Sequence, residues 1–254
     1  MNLFIYVPAA IIGLVTGSFL NVVIYRVPRN LSIVKPRSFC PKCRAKLAWY
    51  ENIPLASYLA IEGRCRGCGA HIPVRYPFVE AAGAALGLLA VSAFGLTIDA
   101  VFAFAFLMAL TAIMLIDWDF RIIPDSVSIP FIVIGLCWSL FNPRLTLASS
   151  ALGALAGGGG LYLIGALYKL ARKTEGMGGG DVKLMAMIGA FVGLKLIVPV
   201  ILVASFAGTV YGIALLKSGK GAKTAVAFGS FLAPAAAVCL LYGERLLSWY
   251  FGGF

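Results

Sequence analysis

Charge is what this sequence has least of. Only 12% of its 254 residues are charged, ten are acidic, and histidine occurs once. Soluble globular domains carry about 25% charged and about 45–50% apolar residues, whereas here 61% are hydrophobic. One water-facing core of this size cannot hide that much apolar surface. An ordinary soluble domain is excluded, and lipid is the expected solvent. Also missing is a basic helix or an aromatic-basic stripe, so the formal charge of +11 does not signal nucleic acid. No internal repeat is present, which argues against a transporter built from duplicated halves. The first apolar run has no basic segment before it and no small-residue cleavage site after it, so it reads as a span and not a signal peptide.

What is present is a series of uncharged runs. A membrane helix needs roughly 20 mostly apolar residues. Residues 1–25, 81–98, 100–116, 126–143, 145–168, 196–216 and 224–243 carry no charge, and a shorter run, 184–194, lies between Lys183 and Lys195. The pattern predicts an all-α polytopic membrane protein of about eight transmembrane helices. Intramembrane glycine and proline (Gly157 to Gly160, Pro130, Pro199, Pro234) suit helices that pack closely or kink.

Lys and Arg orient the chain, since cytoplasmic loops are enriched in them. With the N-terminus outside, the inner segments 26–77, 117–125, 169–183 and 217–223 hold all of the 21 basic residues except Arg144, Lys195 and Arg245. That bias predicts an N-terminus outside and a long first loop inside. Three segments follow: a first transmembrane helix at 1–25, a cytoplasmic loop at 26–77 and a transmembrane domain at 78–254.

The loop contains Cys40-Pro-Lys-Cys43 and Cys65-Arg-Gly-Cys68. Two CxxC pairs at this separation match a four-thiolate zinc site, because each tight turn aims two sulfurs at one tetrahedral ion. Disulfides or a redox dithiol are the alternatives, and a cytosolic location disfavours stable disulfides. Such a zinc would supply folding energy to a loop with little core. His71 is surplus to the set and reads as a surface or packing residue. Cys137 and Cys239 lie within spans and read as small apolar packing residues.

The informative acids sit at span boundaries, where an ionisable group is costly and function is its default explanation. Asp117 ends one apolar run, and Asp181 closes Gly176-Met177-Gly178-Gly179-Gly180-Asp181 at the start of another. In the predicted topology both occupy cytoplasmic ends. Two carboxylates in one site share a proton, so one can act as base and the other as acid in peptide hydrolysis. Bare glycine backbone before Asp181 would let an extended substrate approach and bond strand-fashion. Structural roles compete: Asp125 and Asp181 could each be helix N-caps, and Asp119 points to another side and reads as solvent-exposed. The residues alone leave both readings open.

These features together resemble the type IV prepilin peptidases, bacterial intramembrane aspartyl proteases of the GxGD type. The resemblance runs through Gly17-Ser-Phe-Leu-Asn21-Val-Val-Ile-Tyr-Arg26-Val-Pro28, the two CxxC pairs, Glu51-Asn-Ile-Pro54 with Ser57-Tyr58-Leu59, and Arg75-Tyr76-Pro77 with Glu80. It continues in Ile116-Asp117-Trp118-Asp119, Ile123-Pro124-Asp125, and Gly178-Gly179-Gly180-Asp181 with Lys183. It implies that Asp117 and Asp181 are the catalytic aspartates, with Gly178, Gly179 and Gly180 forming the active-site loop. It implies a multi-pass protein of the bacterial inner membrane that cuts a short, positively charged leader from type IV prepilins or type II secretion pseudopilins on the cytoplasmic side. A second activity is implied, N-methylation of the new N-terminus with S-adenosylmethionine, associated with the cysteine-bearing loop; Glu51 and Glu80 are candidates there. No strand followed by a glycine-rich nucleotide loop supports that donor site independently. The alternative is a peptidase alone, with the zinc loop as scaffold or substrate-docking surface.

Overall fold

A computed structural model describes residues 3–174, 178–218 and 227–252. Gly176 and Met177 of the glycine run, and Lys220 and Lys223 of the predicted inner segments, lie outside the described residues. The described chain is helical, with two isolated β-bridges and no strand. Its helices are α1 (Leu3–Arg26), α2 (Ala56–Ala60), α3 (Arg75–Phe94), α4 (Ile98–Phe120), α5 (Asp125–Ser139), α6 (Leu147–Arg172), α7 (Gly179–Val192), α8 (Ile197–Lys217) and α9 (Gly229–Gly252). They fall into two compact units, Met1–Met108 and Ala109–Phe254.

Six helices, α1, α3, α4, α6, α8 and α9, are long and apolar enough to cross a membrane. The other two long elements differ from the eight-span expectation in length. At 15 and 14 residues, α5 and α7 reach about 21–23 Å against a hydrocarbon core of about 30 Å. Each is shortened by its own sequence: Pro124 starts α5, and Gly193 at φ +73 stops α7. From Leu184 to Val192, α7 is buried on nearly every side, packed against α5, α6 and α9. A helix apolar all round is a core helix.

Lipid offers apolar side chains no strong reason to associate, so close backbone approach does the packing. In the first unit, α1 meets α3 through Gly13 and Gly17 on one side and Gly83 and Gly87 on the other. A Cβ at Gly17 would lie 2.8 Å from the Glu80 Cα, and one at Gly87 2.6 Å from the Ala9 carbonyl. In the second unit, α6 meets α7 through Gly153 and Gly189, and Gly157 and Gly158 press on Met185 and Ala186. The close-packing expectation holds for Gly157 and Gly158, whereas Gly159 and Gly160 face open space. Cys239 is fully buried, as expected of a small apolar residue. Cys137 instead lies exposed on α5, because the neighbouring Trp138 takes the inward position.

Candidate active site

In the second unit, α4 runs to its last turn with Asp117 on the same buried face as Ile113 and Ile116. Arg121, at φ +59, ends the helix, its N–H donating to the Asp117 carbonyl at 2.9 Å. Pro124 then launches α5 within three residues. This sharp turn carries Ile123 inward, where it touches the sites of Gly180 and Gly229. Trp118 and Asp119, on the other side of the same turn, are exposed.

Asp181 sits in the first turn of α7, whose N-cap is Gly178. No side chain caps this helix, so the N-cap role considered for Asp181 is not realised. Its carboxyl lies close to Gly178 (3.5 Å from a would-be Cβ), faces the backbone N–H of Gly229, and feels the charge of Asp117. Asp117 reaches the same place from α4. Its Oδ2 accepts the Ser230 N–H at 2.9 Å and the Ser230 hydroxyl at 3.3 Å. The two acids, 64 positions apart in the chain, thus converge on consecutive residues at the start of α9. Asp117 is 5% exposed and Asp181 half-buried, so Asp181 is the more accessible of the two.

Asp125 is not a helix cap either. It occupies the first turn of α5 without capping it, and both its oxygens lie 2.7 Å from Lys183 Nζ. This ion pair ties the first turn of α5 to the second turn of α7. Sequence reading missed three participants: Ser230, Gly229 and the Lys183–Asp125 pair. The signal for Lys183 was its place two residues after Asp181; for Gly229 and Ser230 nothing local marked them.

The first unit carries the second candidate site. The four thiols of Cys40, Cys43, Cys65 and Cys68 gather with every Sγ within 4.8 Å of the others. Cys40 to Cys68 is 4.0 Å and Cys43 to Cys65 is 3.9 Å. A zinc ion with bonds of about 2.3 Å sets sulfur–sulfur edges of about 3.8 Å, so the four residues fit this ion. The two knuckles share one design. Cys40 N–H donates to Ala45 and Cys65 N–H to Ala70, both at 2.9 Å, while Arg44 and Gly69 return bonds of 2.8 Å to Cys40 and Cys65. Arg44 and Gly69 both take positive φ, +59 and +65, to close the turn. Proximity splits the thiols: Cys40 is lowered to about 7, chiefly by the backbone N–H of Cys43, while Cys43 is raised to about 11, against the Ala45 backbone N–H, by burial and the other three sulfurs. His71 is exposed and pairs across a bridge with Arg64, outside the thiol set.

Beside the knuckles lies a cavity of ≈ 840 Å³ lined by Asn21, Tyr25, Tyr58, Tyr76, Glu51 and Glu80 among others. Both candidate glutamates face it, and each already holds a backbone group. Glu51 accepts the Ala48 N–H at 2.7 Å and stands 3.6 Å from Arg66. Glu80 accepts the Leu55 N–H at 2.8 Å. Leu55 lies at φ 59, ψ −51, and Ala56 N–H bonds Pro54 across it at 2.6 Å, a γ-turn of the rare hand. Arg26, 5% exposed, closes the loop's beginning by donating to Ser32 and Pro36 at 2.9 and 2.8 Å.

Comparison with known proteins agrees with this division. Residues 11–94 match the model of the bacterial Peptidase A24 N-terminal domain, and residues 104–213 that of the type IV leader peptidase family. A Burkholderia pseudomallei (strain 1026b) protein is 36% identical over 92% of this chain and 84% of its own length. One from Legionella pneumophila is 33% identical over 98% and 95%, and one from Neisseria gonorrhoeae 39% identical over 84% and 82%. All three bear the name prepilin leader peptidase/N-methyltransferase. No solved structure matches.

Proposed function

The chain belongs to the type IV leader peptidase family, and from that premise we propose that it removes the leader from prepilins or pseudopilins with Asp117 and Asp181, then N-methylates the new N-terminus. One observation carries the hydrolytic half: both carboxylates meet at Gly229 and Ser230. A pair sharing one proton is equipped for both steps. The ionised carboxylate takes a proton from water as its oxygen attacks the scissile carbonyl, while the protonated partner donates to the carbonyl oxygen. Collapse of the adduct breaks the C–N bond, and the proton taken from water passes to the leaving amine. The backbone of Gly178, Gly179 and Gly180 lies beside Asp181, and Gly179 has open space at its Cβ position, room for an extended peptide.

The methylation half belongs to the first unit. A methyl donor of the S-adenosylmethionine type supplies an electrophilic methyl group when bound, and a cavity of ≈ 840 Å³ suits a ligand of that size. Tyr25, Tyr58 and Tyr76 and the carboxylates of Glu51 and Glu80, all lining the cavity, offer aromatic rings and acceptors. Zinc on Cys40, Cys43, Cys65 and Cys68 holds the wall of this cavity, to which Cys40 and Cys65 contribute. We place the protein in the bacterial inner membrane with about eight spans, α5 and α7 being the short ones. The N-terminus is outside, and the cysteine loop and aspartates face the cytoplasm, on the strength of the Lys and Arg bias. Peptidase chemistry then lies within 78–254 and the methylation-associated loop at 26–77.

Replacing Asp117 or Asp181 singly by Asn abolishes leader removal in a purified processing assay, and replacing Asp119 does much less. Cleavage by both Asn variants would defeat the aspartyl mechanism. Transfer of labelled methyl to processed pilin tests the second activity separately; its absence leaves a peptidase with a structural loop.

A further inference from the structure

The start of α9 is crowded by function and not by conformation. Gly229 does not take a positive φ, so its backbone admits any residue. What a side chain there would meet is the far ends of two others, which must shift to admit it. A Cβ there would lie 2.9 Å from Asp117 Oδ2, 3.3 Å from Asp117 Cγ and 2.9 Å from Ile123 Cδ1. Its N–H meanwhile faces Asp181, and the next residue, Ser230, gives Asp117 both its N–H and its hydroxyl. The Ser230 hydroxyl is also 3.1 Å from the Met114 carbonyl, one turn before Asp117 on α4. Two consecutive residues therefore address all the elements that must agree for the two acids to share a site: α4, α7 and the turn bearing Ile123.

We propose that Gly229 is a positioning residue for the aspartate pair: its missing side chain lets the Asp117 carboxylate close on Asp181, and its N–H fixes Asp181 opposite. Ser230 anchors the Asp117 oxygen in that arrangement. This deepens the hydrolytic reading and depends on it. Gly229 is the first residue of α9, so Gly229→Ala leaves the helix itself intact while displacing a carboxylate. Misplacing a reacting group by about 1 Å costs roughly 10²-fold in rate.

The test uses full-length protein in liposomes with a prepilin substrate, reading kcat and KM for cleavage, the thermal midpoint, and cleavage by Asp117→Asn as a reference. Gly229→Ala lowers kcat by roughly 10²-fold with KM within about twofold and an unchanged midpoint. Shortening the other neighbour, in Gly229→Ala with Ile123→Val, does not restore kcat, because the clash that matters is with the carboxylate. Wild-type kcat in Gly229→Ala, or recovery on adding Ile123→Val, overturns the proposal. Should Gly229→Ala melt early, Ser230→Ala decides, since it deletes only a hydroxyl: a fall in kcat that Ser230→Thr restores supports the proposal, and an unchanged kcat overturns it. If Asp117→Asn itself still cleaves, the hydrolytic pair is at fault and this proposal falls with it.

Discussion

Removing one thiol, as in Cys65→Ser, should unfold the knuckles of the first loop and leave the aspartate site working. Between residues 27 and 74 only Cys40 and Gly63 are fully buried, and apolar residues such as Phe39, Leu47, Leu55, Tyr58 and Ile61 are only partly covered, so this segment has a small core. The two knuckles, 40–43 and 65–68, comprise eight residues, whose backbone ordering costs about 8–16 kcal/mol at about 1–2 kcal/mol each. A four-thiolate zinc contributes about 10–16 kcal/mol on binding. Metal and ordering cost thus balance within a few kcal/mol, which makes the metal the largest single contribution to ordering the knuckles. The assay is amide exchange read with metal content. In the wild type one zinc per chain accompanies protected amides at Cys40, Arg44, Cys65 and Gly69, the four that close the turns. In Cys65→Ser, zinc and all four protections are lost together, methyl transfer fails, and protection in α7 and leader cleavage persist. Protection of those four amides in demonstrably metal-free protein would refute the reasoning.

The Lys183–Asp125 pair has ideal distances, yet its side chains are 43% and 54% exposed, so Asp125→Asn should cost no more than about 1 kcal/mol. Its effect on cleavage should be modest and recovered by the exchanged pair Asp125→Lys with Lys183→Asp; a double exchange no better than either single change would show that the tie is irrelevant. In the first unit, Gly83→Leu forces α1 from α3, since even a Cβ there meets the Gly13 carbonyl. Overpacking of this kind costs about 1–3 kcal/mol, visible as a lower thermal midpoint; an unchanged midpoint in Gly83→Leu would refute the contact.

Several of these elements were legible because they are written locally. Composition identified lipid as the solvent, and uncharged runs located the six long helices, since neither requires knowledge of distant neighbours. The CxxC spacing specified the thiol cluster, because a four-residue turn leaves its two sulfurs little choice of direction. Other readings failed for want of that locality. Asp125 looked like a cap beside Pro124, but a lysine 58 positions away claims both its oxygens. Cys137 looked like packing, and its helix turned Trp138 inward instead.

By itself the sequence determined which residues could do chemistry: four thiols, two boundary aspartates and a glycine-rich approach to one of them. Only the tertiary structure decided that both aspartates reach the start of α9, because convergence depends on where α4 stops, where α7 starts, and which residues of α9 lie there. That last choice is a matter of missing volume. A glycine far along the chain carries no mark of what its absent side chain makes room for.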